Sequence, residues 1–162
     1  MVVIGIDPGT ATTGYGLVRE NEDGSIEAIA HGVILTAAGL ELSERLLTLY
    51  NQLTEILLLH KPQGAAVEKL FFQRNVRTAM SVGHGRGVVL LCMAQAGLAV
   101  AEYTPMEVKL AVAGYGGADK HQVQYMVRTL LNLEDIPRPD DAADALAVAI
   151  CHLHSTGYLR SA

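Results

Sequence analysis

Three aspartates near the end of the chain are the first residues whose types and spacing suggest chemistry. Asp140, Asp141 and Asp144 open an apolar, Ala-rich run that is predicted to be a helix after Pro137 and Pro139. Capping of the helix N-terminus accounts for one of these carboxylates, or at most two. Asp141 and Asp144 are spaced i, i+3 and share a helix face, where two carboxylates repel each other unless a cation is present. The pair Asp140 and Asp144 is geometrically open as well, and a capped helix with a solvated aspartate is the ordinary alternative.

Two further carboxylates end predicted strands. Asp7 follows a β-branched run at a Pro-Gly turn, and Glu68 ends a short buried run. If these strands are parallel neighbours and the acidic helix packs over their ends, the four acids form an oxygen-rich site of the kind that selects Mg²⁺ or Mn²⁺. Two such ions about 4 Å apart can promote phosphodiester hydrolysis. The ordinary alternatives are a turn-forming Asp7 and a Glu68 paired with Lys69 or Arg74.

The sequence patterns of the strands and helices that must position these acids predict an α/β fold. Apolar runs and alternation indicate strands, and a 3.6-residue period indicates helices. The predicted strands cover residues 2–7, 14–19, 26–36, 64–68 and 98–103. The predicted helices cover residues 40–60, a segment after residue 77 up to 96, 118–131 and the run from 140, and residues 106–112 are a short segment after the fifth strand. We therefore expect a five-stranded mixed sheet, with a three-stranded antiparallel meander plus two parallel strands, and helices on both faces.

The Gly-rich segment of the second predicted helix is the candidate for close packing between protein chains. Gly83, Gly85 and Gly87 weaken the helix by about 1 kcal/mol each relative to Ala, but they permit close backbone approach. We predict a packed or dimer-forming face within residues 79–96. His84 lies in this segment without metal-ligand spacing and is interpreted as structural or interfacial.

Composition and charge describe a globular protein with a local basic region. The 162 residues suffice for one domain, and the net charge is −5. Residues 61–138 nevertheless hold nine Lys/Arg against six Asp/Glu, so a basic face toward phosphates is compatible with the acidic total. Cys92 and Cys151 lack metal-ligand spacing and are expected to be buried thiols. No apolar run is long enough to span a bilayer and no secretory leader is recognised, so we expect no membrane contact and a cytoplasmic protein.

Short motifs, each weak alone, form a specific set from about residue 2 to 154. In chain order they are Gly5-Ile6-Asp7-Pro8-Gly9, Gly14-Tyr15-Gly16, Glu68 followed by Phe71, Lys120 with Gln122-Val123-Gln124, Met126-Val127-Arg128-Thr129-Leu130-Leu131 and Asp141-Ala142-Ala143-Asp144-Ala145-Leu146-Ala147. Together they closely resemble the RuvC family, the bacterial Holliday-junction resolvases.

The resemblance implies an RNase H-like nuclease domain over residues 1–162 that acts as a homodimer. It implies an Mg²⁺-dependent endodeoxyribonuclease, with Mn²⁺ as a substitute and two ions per site, that makes paired symmetric nicks in four-way junctions during recombination and repair. It also implies branch-migration partners of the RuvA and RuvB type. Its catalytic residues and metal ligands correspond to Asp7, Glu68, Asp141 and Asp144. The Asp-Ala-Ala-Asp register favours Asp141 and leaves Asp140 as the helix cap.

The resemblance also suggests which residues contact DNA. Phe71, three residues after Glu68, resembles the aromatic side chain that the family inserts into the junction, and stacking on a base is worth about 1–3 kcal/mol. A core Phe is the ordinary alternative, because only one of Phe71 and Phe72 need be exposed. The predicted DNA-binding residues are Phe71, Phe72, Lys69, Arg74, Arg77, Lys109 and Lys120. For any one of the lysines, a solvated side chain is the alternative.

Two other functions are weighed against nuclease activity. A branched-DNA-binding module without catalysis would be expected to have lost a carboxylate, and none of the four is missing. The Asp-Pro-Gly-Thr after the first strand also resembles the phosphate-binding turn of the actin and sugar-kinase superfamily. Those ATP phosphotransferases need a second lobe that 162 residues do not supply, and no Walker-type motif is present.

Overall fold

Five strands form one mixed sheet at the centre of the fold. The computed structural model describes residues 1–9, 11–69 and 76–161, with the backbone alone at 76–78 and 158–161. The strands are β1 (Val2–Asp7), β2 (Thr12–Glu20), β3 (Ile26–Leu35), β4 (Gly64–Glu68) and β5 (Val100–Tyr103). Their order is β3-β2-β1-β4-β5, with β1, β2 and β3 antiparallel and β1, β4 and β5 parallel. The predicted meander plus two parallel strands is confirmed.

Within the described ranges, five helices connect and follow the strands, one more than the sequence predicts. They are α1 (Leu42–His60), α2 (Val76–Gln95), α3 (Pro105–Ala113), α4 (Lys120–Leu130) and α5 (Asp140–Ser161). The predicted start of α4 at residue 118 moves to Lys120, because the Asp119 carboxylate accepts from the Gln122 N–H at 2.9 Å and caps the helix there. None of the helices in the described ranges combines the length and apolar character that crossing a bilayer requires.

The two faces of the sheet carry separate hydrophobic clusters, and α5 covers one of them. Ile4 and Ile6 pack with α1 and α2, whereas Val3 and Ala66 pack with α3, α4 and α5. The predicted helices on both faces are therefore confirmed. Because side chains alternate along a strand, Asp7 shares the face of Val3 and Glu68 shares the face of Ala66. Both strand-end acids lie on the α5 side of the sheet.

Glycines in β1 and β2 let α5 lie unusually close to the sheet. A Cβ atom added at Gly5 would overlap the Ala145 carbonyl oxygen, and one at Gly14 would overlap the Asp141 carbonyl oxygen. Only glycine permits such a close approach of backbone to backbone. The free cysteines Cys92 and Cys151 are both buried, as predicted.

Candidate active site

The ends of two neighbouring strands bring Asp7 and Glu68 together. β1 and β4 pair in parallel with Ile6 opposite Val67, and each strand ends one residue later in its carboxylate. The predicted adjacency of these two acids is therefore confirmed. The sheet delivers both to its carboxyl edge, on the face that α5 covers.

The first turns of α5 carry the helix acids to the same edge. Asp7 pairs with Gly14 across β1 and β2, and Gly14 lies directly against the Asp141 backbone. Asp141 is thus the helix acid that sits over the strand partner of Asp7. Asp144 lies one turn further and lines a cleft of about 270 Å³ together with Glu68.

The four acids repel one another. Burial raises the pKa of Asp7 to about 7, and the charges of Glu68, Asp144 and Asp141 add to the rise. Burial, and then Asp144, likewise raises the pKa of Glu68. Burial raises the pKa of Asp144 above its ordinary value as well. These raised pKa values show that the acids resist ionisation. A bound cation would reduce the repulsion among them and favour their charged forms.

Two lysines face this cluster from α3 and α4. Lys120 Nζ lies 3.0 Å from Asp144 Oδ2 and 3.5 Å from Asp140 Oδ2. Burial lowers the pKa of Lys120, but its carboxylate partners outweigh burial and raise it. Lys109 lines the same cleft and lowers the pKa of Glu68 without forming an ion pair with it in the described part of the chain. The predicted basic residues Lys109 and Lys120 therefore lie beside the acids.

Asp140 differs from the other acids. Its Oδ1 accepts from Arg138 Nη1 at 2.7 Å, and its other oxygen faces Lys120. Slight desolvation raises the pKa of Asp140, but Lys120 and Arg138 outweigh it and lower the pKa. The helix begins at Asp140 itself. The predicted cap thus lies inside the first turn, and its carboxylate pairs with the side chains of Arg138 and Lys120.

The remaining predicted DNA-binding residues follow Glu68 in the chain. Lys69 is exposed, and its N–H donates to the Tyr103 carbonyl oxygen at 2.7 Å. Within the described residues Glu68 has no ion pair with Lys69, so a Glu68–Lys69 pair is not observed. Phe71, Phe72 and Arg74 lie outside the described residues. Arg77 lies in α2, where only the backbone is described.

Two contacts at the site were not predicted from the sequence. Gly14 lets Asp141 reach the neighbourhood of Asp7, and a glycine inside a strand is a weak signal of such an approach. Arg86 Nη1 donates to the Glu68 carbonyl oxygen at 3.4 Å. No spacing or motif marks Arg86, because the contact joins separate elements.

The donor chemistry fits divalent metal ions, although the side chains are not closed around a common point. Across the described ranges, no three His, Cys, Asp or Glu side chains are gathered closely enough to hold an ion. The Lys120 ammonium lies against Asp144 instead. Carboxylate oxygens are the donors that Mg²⁺ and Mn²⁺ prefer, and the raised pKa of Asp7 reflects its burial beside three other acids. The residues fit such ions in type and charge.

Solved structures identify the fold class. The structure of Thermus thermophilus RuvC superposes with a TM-score of 0.91 at 38% identity, covering 98% of this chain and 96% of that one. Thermus thermophilus RuvC in complex with Holliday junction substrate gives a TM-score of 0.90 at 35% identity, with the same coverage. An RNase H-like fold with an acidic edge is therefore the class to which this molecule belongs.

Sequence comparison then gives the family. The family described as crossover junction endodeoxyribonuclease RuvC matches residues 3–152. The crossover junction endodeoxyribonuclease RuvC of Syntrophomonas wolfei is 57% identical over 155 residues, which cover 96% of this chain and 90% of that protein. The chain belongs to the RuvC family.

Proposed function

We propose that the protein is an endodeoxyribonuclease that resolves four-way (Holliday) DNA junctions by paired symmetric nicks, in recombination and repair. The observation that supports this proposal most directly is that four carboxylates lie at one edge of the sheet, where the pKa of Asp7 rises to about 7. The RuvC relatives support the substrate, since the Thermus protein was solved with a Holliday junction. This reading is favoured over a silent DNA-binding module and over an ATP phosphotransferase.

The residues proposed to hold two divalent ions are Asp7, Glu68, Asp141 and Asp144, with Mg²⁺ as the expected metal and Mn²⁺ as a substitute. When bound, such ions lower the pKa of water and stabilise the leaving oxygen of a phosphodiester. The chain's own contribution is to fix four oxygen donors on two strand ends and one helix. Lys120 lies 3.0 Å from Asp144, beside the acids, and its proposed role is to neutralise charge on the scissile phosphate.

The proposed DNA surface surrounds the acids. Lys109 and Lys120 form one wall of the cleft, and Lys69 follows Glu68 on the exposed end of β4. The further proposed contacts are Phe71, Phe72, Arg74 and Arg77. Because these contacts are made largely to phosphates, junction affinity should fall steeply as salt rises.

Paired nicks require two sites, so we propose a homodimer. The exposed face of α2 supports this, since Met80 is 62% and Leu91 52% exposed, and Gly83 and Gly87 have open space beside them. Unpartnered apolar side chains on one helix face are typical of an interface. Branch-migration partners of the RuvA and RuvB type and a cytoplasmic location follow from the proposed role on chromosomal DNA.

The test is cleavage of a synthetic four-way junction against linear duplex of the same sequence, with Mg²⁺ and Mn²⁺ in parallel. The wild-type protein should cut the junction symmetrically and leave the duplex intact, and omission of metal should stop cleavage. Asp7→Asn should bind the junction without cutting it. A wild-type protein that binds without cutting would support the silent module instead.

Phe71→Ala tests the proposed junction contact. Loss of one stacked base is worth about 1–3 kcal/mol, so cleavage should slow about 5- to 160-fold. Single-turnover cleavage of the four-way junction measures the change, and Tyr50→Phe, remote from the acids, serves as the control. Unchanged cleavage would favour a Phe71 that packs in the core.

A further inference from the structure

Arg86 of α2 links that helix to the backbone of Glu68. Its Nη1 donates to the Glu68 carbonyl oxygen at 3.4 Å, and its Nη2 lies 2.6 Å from Glu102 Oε1. The Arg86 side chain is only 18% exposed. The guanidinium therefore bridges α2, β4 and β5 at the point where β4 ends in its carboxylate.

The residue before Arg86 lies close to the backbone near the other strand-end acid. Gly85 is buried, and a Cβ atom added there would lie 3.4 Å from the Gly9 carbonyl oxygen. Gly9 follows Asp7 by two residues. Consecutive residues of α2 thus lie beside the chain near Asp7 and bind the chain at Glu68, from the sheet face opposite α5.

Glu68 needs such a support because the sheet holds it on one side only. The pairing of β4 with β1 ends at Val67, whereas the pairing with β5 continues to Glu68 opposite Tyr103. A last strand residue with one neighbour is less constrained than an interior one. Arg86 adds a fixed point to the Glu68 backbone, and Glu102 holds Arg86 in place.

We propose that Arg86 is a positioning residue that fixes the Glu68 carboxylate for metal binding and catalysis. The proposal rests on the proposed function, because it takes Glu68 as a metal ligand. The planar guanidinium is required, since its fork reaches two acceptors at once while a lysine ammonium is a single point of charge. Partners that orient metal ligands typically change metal affinity or activity by about 10- to 100-fold when they are mutated.

The experiment separates positioning from simple stabilisation. Arg86→Lys keeps a cation beside Glu102 but lacks the fork, and Arg86→Gln removes the ion pair as well. Arg19→Gln is the matched control, because Arg19 pairs with Glu27 at 3.1 Å in the β2–β3 hairpin, far from the acids. Each protein is measured for Tm, for Mn²⁺ binding without DNA by electron paramagnetic resonance, for junction affinity in Ca²⁺ and for single-turnover cleavage in Mg²⁺.

Arg86→Lys should keep its Tm and its junction affinity within about twofold, yet bind Mn²⁺ and cleave about 10- to 100-fold more weakly. Arg19→Gln should match wild type throughout. Arg86→Lys that binds Mn²⁺ and cleaves within about twofold of wild type would overturn the proposal, as would a loss confined to junction affinity. If Arg86→Lys does not fold, Glu102→Gln decides, since it should give a smaller loss in the same direction and an unchanged Mn²⁺ affinity would overturn the proposal.

These outcomes are independent of those for the proposed function. A wild-type protein that fails to cut four-way junctions would overturn the function. A wild-type protein that cuts, with an inactive Asp7→Asn and a normal Arg86→Lys, would overturn the role of Arg86 alone.

Discussion

Asp7 and Asp140 lie at the same end of the sheet in opposite environments. Asp7 is half-buried among three other acids, and its pKa rises to about 7. Asp140 is at the surface, 2.7 Å from Arg138 and 3.5 Å from Lys120, and its pKa falls below the ordinary value. We call Asp7 and Glu68 the inner acids and Asp140 the rim acid.

The contrast separates the acids that need a cation from the acid that already has one. The rim acid is neutralised by side chains of the chain itself, so it is stable without a metal. The inner acids have no cation at ion-pair distance within the described residues. The more distant charge of Lys120 lowers the pKa of both without pairing with either. Acids kept in an unfavourable charge state by their surroundings are candidates for function.

Asp7→Asn should have the largest effect, with opposite signs for activity and stability. Cleavage should be lost, while the metal-free protein becomes more stable at pH 8. A carboxyl whose pKa rises from 3.8 to about 7 destabilises the fold by up to about 4 kcal/mol when fully ionised. The folded state binds the extra proton between these values, so wild-type stability falls as pH rises from about 4 to about 7.

Thermal unfolding of metal-free wild type and Asp7→Asn from pH 4 to 8 measures this difference. The stabilisation should vanish near pH 4 and be greatest above pH 7. Asp135→Asn, exposed before α5, is the control and should show no such dependence. A stability gain that stays constant with pH would contradict the proposed repulsion among the acids.

Much of the site could be predicted because it follows from local pattern. Apolar runs located both parallel strands, and their carboxyl ends must meet at one edge, so Asp7 and Glu68 were predicted as neighbours. Helical period placed Asp141 and Asp144 on one face. The choice between Asp140 and Asp141 could not be made from the residues alone, because it depends on the contact of Gly14 with α5. Contacts between distant elements leave no periodic signal.

Gly14→Ala should disturb the approach of α5 to the inner acids. The added methyl would overlap the Asp141 carbonyl oxygen and lie 2.6 Å from its carbonyl carbon, and backbone cannot yield as a flexible side chain can. We expect a loss of about 1–3 kcal/mol in the free energy of unfolding and cleavage slowed about tenfold or more. Gly39→Ala has nothing within 4 Å and is the control. Equal Tm and cleavage for the two variants would contradict the close packing of α5.

Lys120→Gln should have an effect on cleavage between those of Asp7→Asn and Asp140→Asn, because Lys120 acts on both the inner acids and the rim acid. It pairs with Asp144 and Asp140 and lowers the pKa of Asp7 and Glu68. Without it, single-turnover cleavage should slow about 100-fold, and the half-maximal rate should move to higher pH since the inner acids ionise less readily. Lys61→Gln, exposed at the C-cap of α1, should leave the pH profile unchanged. A slower rate with an unmoved profile would restrict Lys120 to phosphate contact.

Asp140→Asn should have the smallest effect and decides which helix acid belongs to the site. Its carboxylate is exposed and shares Lys120 with Asp144, which holds that lysine at the shorter distance of 3.0 Å. Surface ion pairs contribute little, so cleavage should stay within about twofold of wild type and Tm within about 2 °C. Asp141→Asn, one residue along, should lose cleavage as Asp7→Asn does. If Asp140→Asn were inactive and Asp141→Asn active, the ligand pair would be Asp140 and Asp144, and the contact of Gly14 with α5 would not identify the helix acid of the site.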